Sequence, residues 1–351
     1  MGELRATAVR EVHAVVPEGI DDPARPSGGN TYDRRVFEGL AELGWTVNEH
    51  AVTTTAALAR IVERIPDGAV VLLDGLIASP APDALVPHAD RLRQVVLVHM
   101  PFGHRAADDA VRVREREVLA TATAVVTTSA WSRRRLGELY AMPPDRVHVA
   151  EPGVDPAELA PGSPAGDALL CVAAVVPDKG YDVLLDALAT ASDLSWRCAC
   201  VGSLDRDPAF AEAVLRRTRN GALGGRVSFA GPRTGTDLDR AYAEADVLVH
   251  ASHAETYGMV VAEALARGLP VIATDVGGVT EALGQGANGT RPGLLVPVGD
   301  PGALGAALRA WLGDADLRGR LRRAAAERRA SLTGWPRTTS VVAGVLAGAA
   351  R

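Results

Sequence analysis

Residues 253–278 read HAETYGMVVAEALARGLPVIATDVGG, and they contain a glycine turn, a predicted helix and a predicted strand in succession. Glu255 lies in the loop before the turn, and Glu263 lies eight positions later in an almost wholly apolar helical run. A carboxylate buried in such a run is costly unless a partner satisfies it. An i,i+4 ion pair with Arg267 is the ordinary explanation, and it is worth about 0.2–0.5 kcal/mol. By spacing alone, this structural role and a ligand-binding role are about equally supported.

The turn between the two glutamates favours the binding role. It follows a predicted strand, DVLVHA (246–251), and it precedes a helix that is predicted to begin at about Met259. A helix start offers unpaired N–H groups and the positive end of the dipole, which together attract anions. Gly258 permits close approach of the backbone. The charge of Glu255 would repel a phosphate, whereas its oxygens can accept hydrogen bonds from hydroxyl groups such as those of sugars.

Short apolar runs alternate with helical patterns along the whole chain. Continuous apolar runs are typical of parallel strands that are covered on both faces. The repeated β-α pattern predicts an α/β fold with two Rossmann-like domains. The predicted strands are 11–16, 69–74, 94–99, 124–129, a weaker one around 147, and then 169–175, 196–202, 226–231, 246–251, 270–275 and 293–298.

The segment 156–167, PAELAPGSPAGD, is the best candidate for a linker because it is rich in Pro, Gly and Ala and lacks periodicity. It predicts an N-terminal domain over 1–158 and a C-terminal domain over 159–333. Residues 334–351 are expected to form a final helix that belongs to the second domain or packs back on the first. Two such domains are expected to face each other across a cleft, at the carboxyl ends of both sheets.

Composition excludes several classes of protein. The 351 residues carry a net charge of −6 and a pI near 5.8, which argues against nucleic-acid binding. Cys171, Cys198 and Cys200 lie in apolar runs without metal-site spacing and are expected to be core residues. The N-terminus lacks a signal-peptide pattern and no apolar run approaches the ~20 residues of a membrane span, so we expect a cytoplasmic protein.

Two basic clusters, RVRERE (112–117) and SRRRL (132–136), raise the question of an anionic acceptor or a membrane surface. Basic runs interlaced with acids such as Glu115 and Glu117 are more often solvated faces. Membrane contact is therefore not favoured. The sequence does not indicate an oligomeric state.

Three further positions are candidates for a site at strand ends. Lys179 and Gly180 stand in VVPDKGYDVL (175–184), where an ammonium and a flexible backbone suit a diphosphate, and the chain contains few lysines. Gly28 and Gly29 open a predicted helix in RPSGGNTYDRRV (25–36), although without a dinucleotide fingerprint. His99, in LVHMPFG, follows a strand and suits either a cleft or a structural role.

Taken together, these motifs resemble the retaining family-4 glycosyltransferases of GT-B fold, which depend on nucleotide sugars. The resemblance rests on the Glu255-x7-Glu263 motif with ETYG, on GLPVIATDVGGVTEAL (268–283), on VVPDKGYDVL, on EPGVD (151–155) and on SGGNTY (27–32). The matches occur in the family's order from about residue 12 to 300 and so cover most of the chain.

The resemblance implies a retaining hexosyltransferase in which Glu255 contacts sugar hydroxyls and Glu263 contacts the ribose. The diphosphate would be held by the backbone of the ETYG turn together with Lys179 and Gly29, and Glu281 would pack behind the donor site. The implied donor-binding residues are Gly28, Gly29, Lys179, Arg233, Glu255, Thr256, Tyr257, Gly258 and Glu263, and the implied catalytic residues are His99, Lys179 and Glu255.

One departure concerns the cations that face the leaving diphosphate. Family members commonly carry an Arg five residues before the Lys, where this chain has Ala174. Arg233 is a candidate replacement. No Asp-x-Asp segment stands at a strand end, so we expect turnover without a metal ion or other cofactor. A uridine diphosphate sugar is favoured over a guanosine one.

Other functions remain open at this point. A nucleotide-sugar epimerase or a phosphorylase can use the same scaffold, because fold does not fix function. A nucleotide-sugar binding protein without turnover is a third possibility, which the missing cation at Ala174 favours. The acceptor carries a hydroxyl and is expected to be a small molecule, and the loops expected to bind it, around 19–32 and 99–116, contain no pattern that identifies it.

Overall fold

The computed structural model describes residues 10–104, 108–219 and 221–351. The expectations for the N-terminal leader and for the first nine residues of the 1–158 domain lie outside the described residues. So does the part of the predicted acceptor loop at 105–107.

The described chain forms two parallel sheets, and the α/β class with two Rossmann-like halves is confirmed. The first sheet has the strand order β2-β1-β3-β4-β5-β6 and the second has the order β12-β11-β10-β7-β8-β9. The strands are β1 Arg10–Pro17, β2 Trp45–Val52, β3 Val70–Asp74, β4 Arg93–Val98, β5 Ala124–Thr127, β6 Val147–Val149, β7 Ala168–Val172, β8 Arg197–Val201, β9 Val227–Phe229, β10 Val247–His250, β11 Val271–Thr274 and β12 Gly293–Val296.

Helices connect successive strands, as parallel pairing requires. They are α1 Gly28–Glu42, α2 Thr55–Arg64, α3 Gly75–Ala78, α4 Pro82–Leu85, α5 Asp109–Thr121, α6 Ala130–Tyr140, α7 Tyr181–Thr190, α8 Pro208–Thr218, α9 Gly235–Ala243, α10 Met259–Ala266, α11 Val279–Leu283, α12 Pro301–Gly313, α13 Ala315–Arg329 and α14 Trp335–Ala349.

Strand β2 was missed by the sequence analysis. Its residues WTVNEHAV are half polar, with Asn, Glu and His in succession at 48–50, and only Trp45 and Val52 at its two ends are buried. Within the first sheet it pairs with β1 alone and forms the edge. An edge strand needs fewer apolar side chains than a central one such as β3, whose VVLLD is buried throughout. Continuous apolar runs therefore do not identify strand β2.

The chain divides into two compact units. The first unit contains residues 10–20, 29–152 and 335–351, and the second contains 21–28 and 153–334. The boundary at Pro152 and Gly153 lies six residues before the predicted one. Within the first unit, helix α14 is tied to the segment after β6, because Thr338 Oγ1 donates to the Glu151 carbonyl at 2.6 Å.

Each unit has its own apolar core between its sheet and its helices. In the second unit, the core includes the three cysteines, which are free and buried as expected. Within the described residues, no helix is both long and apolar enough to cross a membrane.

The order of the second sheet positions the candidate site. Strands β11, β10 and β7 are neighbours, so the loops that follow them meet at one edge of that sheet. These are the loops that carry Gly277 and Gly278, Glu255, and Lys179.

Candidate functional site

Glu255 is the centre of a charged cluster in the second unit. Its Oε2 atom lies 2.8 Å from Lys179 Nζ and 3.5 Å from His250 Nε2. Its Oε1 atom accepts a hydrogen bond of 3.2 Å from the Thr256 amide. The side chain of Glu255 is 15% exposed and that of Lys179 is 27% exposed, so both remain accessible to a ligand.

The sequence motifs identified Glu255 and Lys179, and the structure pairs them. Lys179 is also the only lysine in the 351 residues, although the chain has 36 arginines. A compact ammonium thus occupies the one position where the chain departs from its general use of Arg. His250, the last residue of β10, was not singled out because nothing in VLVHAS distinguishes it from a core histidine.

The cluster keeps the Glu255 carboxyl ionised. Burial by itself would raise its pKa, but the Lys179 ammonium and the nearby imidazole of His250 outweigh burial and hold the pKa well below its usual range. Glu255 is therefore an anion throughout the physiological pH range. It can only accept hydrogen bonds, as binding to hydroxyl groups requires.

Glycines bring the loops of this site into direct contact. A Cβ on Gly277 would lie 1.5 Å from the Glu255 carbonyl oxygen, and one on Gly278 would lie 2.2 Å from that of Thr256. Gly180, with φ +65°, packs in the same way on Ala251, whose carbonyl oxygen would lie 2.0 Å from an added Cβ. Side chains at these positions would push the three loops apart.

The ETYG turn ends at Gly258, which has φ +95° and directly precedes α10. Tyr257 is only 5% exposed and its ring belongs to the core, so only its backbone can face a ligand. Helix α10 begins at Met259, as predicted. Gly28 also lies here, since a Cβ on it would be 3.2 Å from Met259 Sδ.

Glu263 has a partner that the sequence analysis did not foresee. Tyr242 Oη donates to Glu263 Oε2 at 2.7 Å, from helix α9. The alternative explanation, an i,i+4 ion pair with Arg267, is not found among the described residues, because Arg267 donates to the Glu263 backbone carbonyl at 2.9 Å and pairs with Asp239. Burial raises the pKa of the Glu263 carboxyl, although the Tyr242 hydrogen bond and the Arg267 charge oppose that rise.

The sequence motifs also connected Arg233, Ala174 and Glu281 with the donor site. Arg233 follows β9, is half-buried, and makes none of the hydrogen bonds or ion pairs found among the described residues. Ala174 lies two residues after the end of β7, in the segment that leads to Lys179, and contributes no charge. Glu281 lies in the first turn of α11.

His99 belongs to a second cluster, which lies in the first unit. Its Nε2 atom is 2.8 Å from Oδ1 of the buried Asp33 on α1, and Asp74, at the end of β3, completes the group. Strands β3 and β4 are hydrogen-bonded neighbours, which places Asp74 and His99 at the same edge of the sheet. The ring of His99 packs on Gly29, where a Cβ would be 3.3 Å from the ring.

The carboxylates of this cluster hold His99 in its charged form. Burial alone would lower the pKa of His99, but Asp33 and, more weakly, Asp74 raise it to about 9. Burial raises the pKa of Asp74 to about 6, and its proximity to Asp33 contributes to the rise. Asp33 Oδ2 is buried and has no hydrogen-bond partner among the described residues.

The same three residues could hold a metal ion, since their ligand atoms all lie within 4.8 Å of one another. The Asp33–His99 ion pair accounts for two of these atoms without an ion. The sequence analysis selected His99 and missed both aspartates, because neither Asp33 nor Asp74 stands in a recognisable motif.

Glu115 corrects the interpretation of the first basic cluster. It is fully buried and not part of a solvated face. It accepts hydrogen bonds from the Phe102 amide at 2.9 Å and the Gly103 amide at 2.8 Å, as well as from Ser79 and Tyr140. This carboxylate therefore anchors the segment that follows His99.

Comparison with known proteins places these clusters in a family context. The profile described as "Glycosyltransferase Family 4" matches residues 11–158, and the profile described as "Glycosyl transferases group 1" matches residues 166–314. Together they contain both clusters.

Similar proteins include a D-inositol 3-phosphate glycosyltransferase of Jonesia denitrificans, which is 32% identical over 248 residues. That match covers 65% of this chain and 57% of the relative, so the chain spans less than two thirds of the relative's length. Sucrose-phosphate synthase from Thermosynechococcus elongatus has a TM-score of 0.79 at 20% identity and covers 97% of this chain and 98% of its own. Anabaena Alr3699/HepE in complex with UDP-glucose has a TM-score of 0.76 at 18% identity, with coverages of 96% and 99%.

Proposed function

Because the chain belongs to the family-4 glycosyltransferases of GT-B fold, we propose that it transfers a hexose from a uridine diphosphate sugar to a hydroxyl acceptor. The transfer retains the configuration at the anomeric carbon and needs no metal ion. The observation that carries this proposal is the Lys179–Glu255 pair, which joins one cation and one hydroxyl-binding anion at the loop edge of the second sheet. The solved complex of Alr3699/HepE with UDP-glucose supports the choice of donor.

Lys179 stabilises the leaving group in this reaction. Departure of the nucleoside diphosphate develops negative charge, and a fixed cation that interacts more strongly with the transition state than with the donor lowers the barrier. The first amides of α10, which follow Gly258, add N–H groups at the positive end of that helix, whereas the Thr256 amide is already bound to Glu255 Oε1. Glu255 binds hydroxyls of the transferred sugar.

Glu263 binds the ribose. Its carboxylate already accepts one hydrogen bond from Tyr242, and it is only partly buried, so an oxygen remains for a ribose hydroxyl.

In this proposal His99 is a hydrogen-bond donor that keeps its proton, and it is not a general base. With a pKa of about 9, the imidazole is already protonated at neutral pH and cannot take the acceptor's proton. The bond from the anomeric carbon to the diphosphate breaks while the bond to the acceptor oxygen forms on the same face. The acceptor's proton then passes to the departing diphosphate oxygen, which keeps the charges balanced.

Donor binding is the first test. The melting temperature of the protein is measured with UDP, GDP, ADP and UDP-glucose. A ligand present at 100 times its Kd stabilises the folded state by about 2.7 kcal/mol, and we expect UDP and UDP-glucose to give the largest shifts. If no nucleoside diphosphate raises the melting temperature, the proposed function is wrong.

Turnover is the second test. UDP-glucose is incubated with D-inositol 3-phosphate, the compound in the name of the Jonesia denitrificans relative, with unphosphorylated inositol, and with water alone as acceptor. Proton NMR of the product reports the anomeric configuration, which we expect to match that of the donor. A donor that binds tightly but gives neither transfer nor release of free sugar would favour a binding protein without turnover.

A further inference from the structure

We propose that His250 is a positioning residue that holds the Glu255 carboxylate when the donor diphosphate draws Lys179 away from it. The proposal rests on the proposed function, since it concerns the donor-bound state of the same site. His250 makes no contact with the donor in this role and acts through Glu255.

The geometry places His250 behind the ion pair. Its Nε2 atom lies 3.5 Å from Glu255 Oε2, the same oxygen that Lys179 contacts at 2.8 Å. That separation is longer than an ordinary hydrogen bond, and His250 Nε2 is buried without a hydrogen-bond partner among the described residues. A buried donor of this kind is costly to leave unsatisfied, and a small movement of the Glu255 side chain would satisfy it.

Two anions compete for the Lys179 ammonium, namely the Glu255 carboxylate and the diphosphate of a bound donor. In the structure its ammonium is bound to Glu255, whereas a bound donor would present a diphosphate to the same atom. Ala174 supplies no second cation, and Lys179 is the only lysine of the chain. When the ammonium moves to the diphosphate, the carboxylate of Glu255 loses its closest partner in a site that is largely shielded from water.

Among the described residues, His250 is the group placed to replace that partner. The Thr256 amide already donates to the other oxygen, Oε1. His253, three residues further along, is directed to Asp182, with its Nε2 3.5 Å from Oδ1 of that residue. A hydrogen bond from His250 Nε2–H would therefore keep Glu255 ionised and in place for the sugar hydroxyls while Lys179 neutralises the leaving group.

Three variants at position 250 separate this role from simple packing. His250→Leu fills the space without a donor, and His250→Gln keeps an N–H donor of similar reach. His250→Asn keeps polarity but is too short to reach Glu255, and it replaces the Leu variant if that one does not fold. His253→Gln is the matched control, because it changes a histidine three residues away that is directed to Asp182 and not to Glu255.

The measurements are UDP binding by calorimetry and hydrolysis of UDP-glucose. We expect His250→Leu to lower kcat for hydrolysis by about tenfold to a hundredfold, with a smaller change in KM, because the charge on the diphosphate is largest after bond cleavage. His250→Gln is expected to recover most of the rate, and His253→Gln to remain within about twofold of the unaltered protein.

The single lysine provides a readout that does not depend on activity. In protein labelled with 15N-lysine, the Nζ signal reports one side chain, and saturating UDP should shift it as the ammonium moves from carboxylate to phosphate. We expect a clearly smaller shift in His250→Leu, because Lys179 then remains with Glu255.

A double-mutant cycle with Lys179→Ala tests whether His250 and Lys179 act together on Glu255. If His250 acts by taking the place of Lys179 beside Glu255 Oε2, the two substitutions should be strongly non-additive, so His250→Leu should change the hydrolysis rate by clearly different factors in the Lys179→Ala background and in the unaltered protein. Equal costs in both backgrounds would overturn the proposal while leaving the proposed function intact. If the unaltered protein neither binds UDP nor hydrolyses UDP-glucose, the proposed function itself fails, and the role of His250 fails with it.

Discussion

Glu255 in the second unit and His99 in the first unit are both ionisable side chains held in partly buried clusters beyond the carboxyl ends of parallel strands. In the second unit, a lysine and a histidine surround one carboxylate and lower its pKa. In the first unit, two carboxyls surround one histidine and raise its pKa to about 9. Burial opposes the charged form in both clusters, and in both the counter-charges outweigh it.

The two clusters therefore hold opposite charges: a carboxylate anion at Glu255 and an imidazolium cation at His99. An anion without bound protons suits sugar hydroxyls, which donate hydrogen bonds. A protonated imidazole suits oxygen atoms, which accept them. The following experiments test whether the two clusters depend on their counter-charges in this way.

The largest effect is expected for Glu255→Gln. The amide keeps the shape of the side chain but removes the charge that pairs with Lys179 and binds hydroxyls. We expect transfer or donor hydrolysis to fall on the order of a thousandfold, with little change in melting temperature. Glu244→Gln, at an exposed position after α9, is the control. Activity that survives Glu255→Gln would remove this residue from the site.

Asp33→Asn tests the cluster around His99 in the first unit. The pKa of His99 is higher in the folded protein, about 9, than its ordinary 6.5, so the folded state binds the proton more tightly. This stabilisation, up to about 3 kcal/mol, is fully present below about pH 6.5 and is lost as the pH rises through 9. In Asp33→Asn, the pKa of His99, measured by NMR, should fall, and the decrease in stability between pH 6.5 and 10 should shrink. Asp90→Asn, at an exposed position, should change neither quantity.

Tyr242→Phe tests the ribose site. Loss of the phenol removes the hydrogen bond that opposes the raised pKa of Glu263, so more of this acid becomes protonated. We expect affinity for UDP to fall by about tenfold or less, and to fall further as the pH decreases. Binding of a deoxy-UDP that lacks a ribose hydroxyl serves as the control, and an equal loss for both nucleotides would argue that Glu263 does not bind the ribose.

Arg233→Ala is expected to have a smaller effect. Arg233 makes none of the hydrogen bonds or ion pairs found among the described residues, so its guanidinium is available to a ligand anion. As a half-buried contact that is partly screened by solvent, it should contribute about threefold to UDP affinity, and less at high salt. Arg219→Ala, at an exposed position after α8, provides the comparison. A loss of a hundredfold would instead assign Arg233 the full role of the cation that is missing at Ala174.

Removal of metal ions is expected to have no effect. Transfer and donor hydrolysis should be the same with and without EDTA, since Lys179 supplies the charge that a metal would otherwise provide. A loss of activity with EDTA that Mg²⁺ or Mn²⁺ restores would contradict this. Asp33, Asp74 and His99 would then be the first residues to test as ligands.

The sequence was sufficient for the class of fold and for much of the candidate donor site. Ten of the twelve strands follow from continuous apolar runs, and a further one from the weaker pattern around 147, because central parallel strands must be apolar on both faces. Strand β2 was missed because an edge strand tolerates polar residues. Glu255, Gly258 and Lys179 were found because each belongs to a short contiguous motif.

The partners of these residues were not predictable in the same way. Tyr242 is separated from Glu263 by 21 positions, Asp33 from His99 by 66 and Lys179 from Glu255 by 76. Glu115 shows the same limit, since its sequence neighbours suggest a solvated helix face while its side chain is buried. Local pattern does not reveal which loops of a parallel sheet become neighbours.

The sequence by itself thus determined where most strands and the glycine turns of the candidate site occur, because apolar periodicity and glycine act locally on the backbone. It also marked Glu255 and Glu263 as carboxylates in need of partners. Only the tertiary structure decided what those partners are: Lys179 and His250 for Glu255, and Tyr242 for Glu263. The order of strands in the second sheet sets the Lys179–Glu255 pairing, because it determines which distant loops share an edge, and the meeting of helices α9 and α10 sets the Tyr242–Glu263 hydrogen bond.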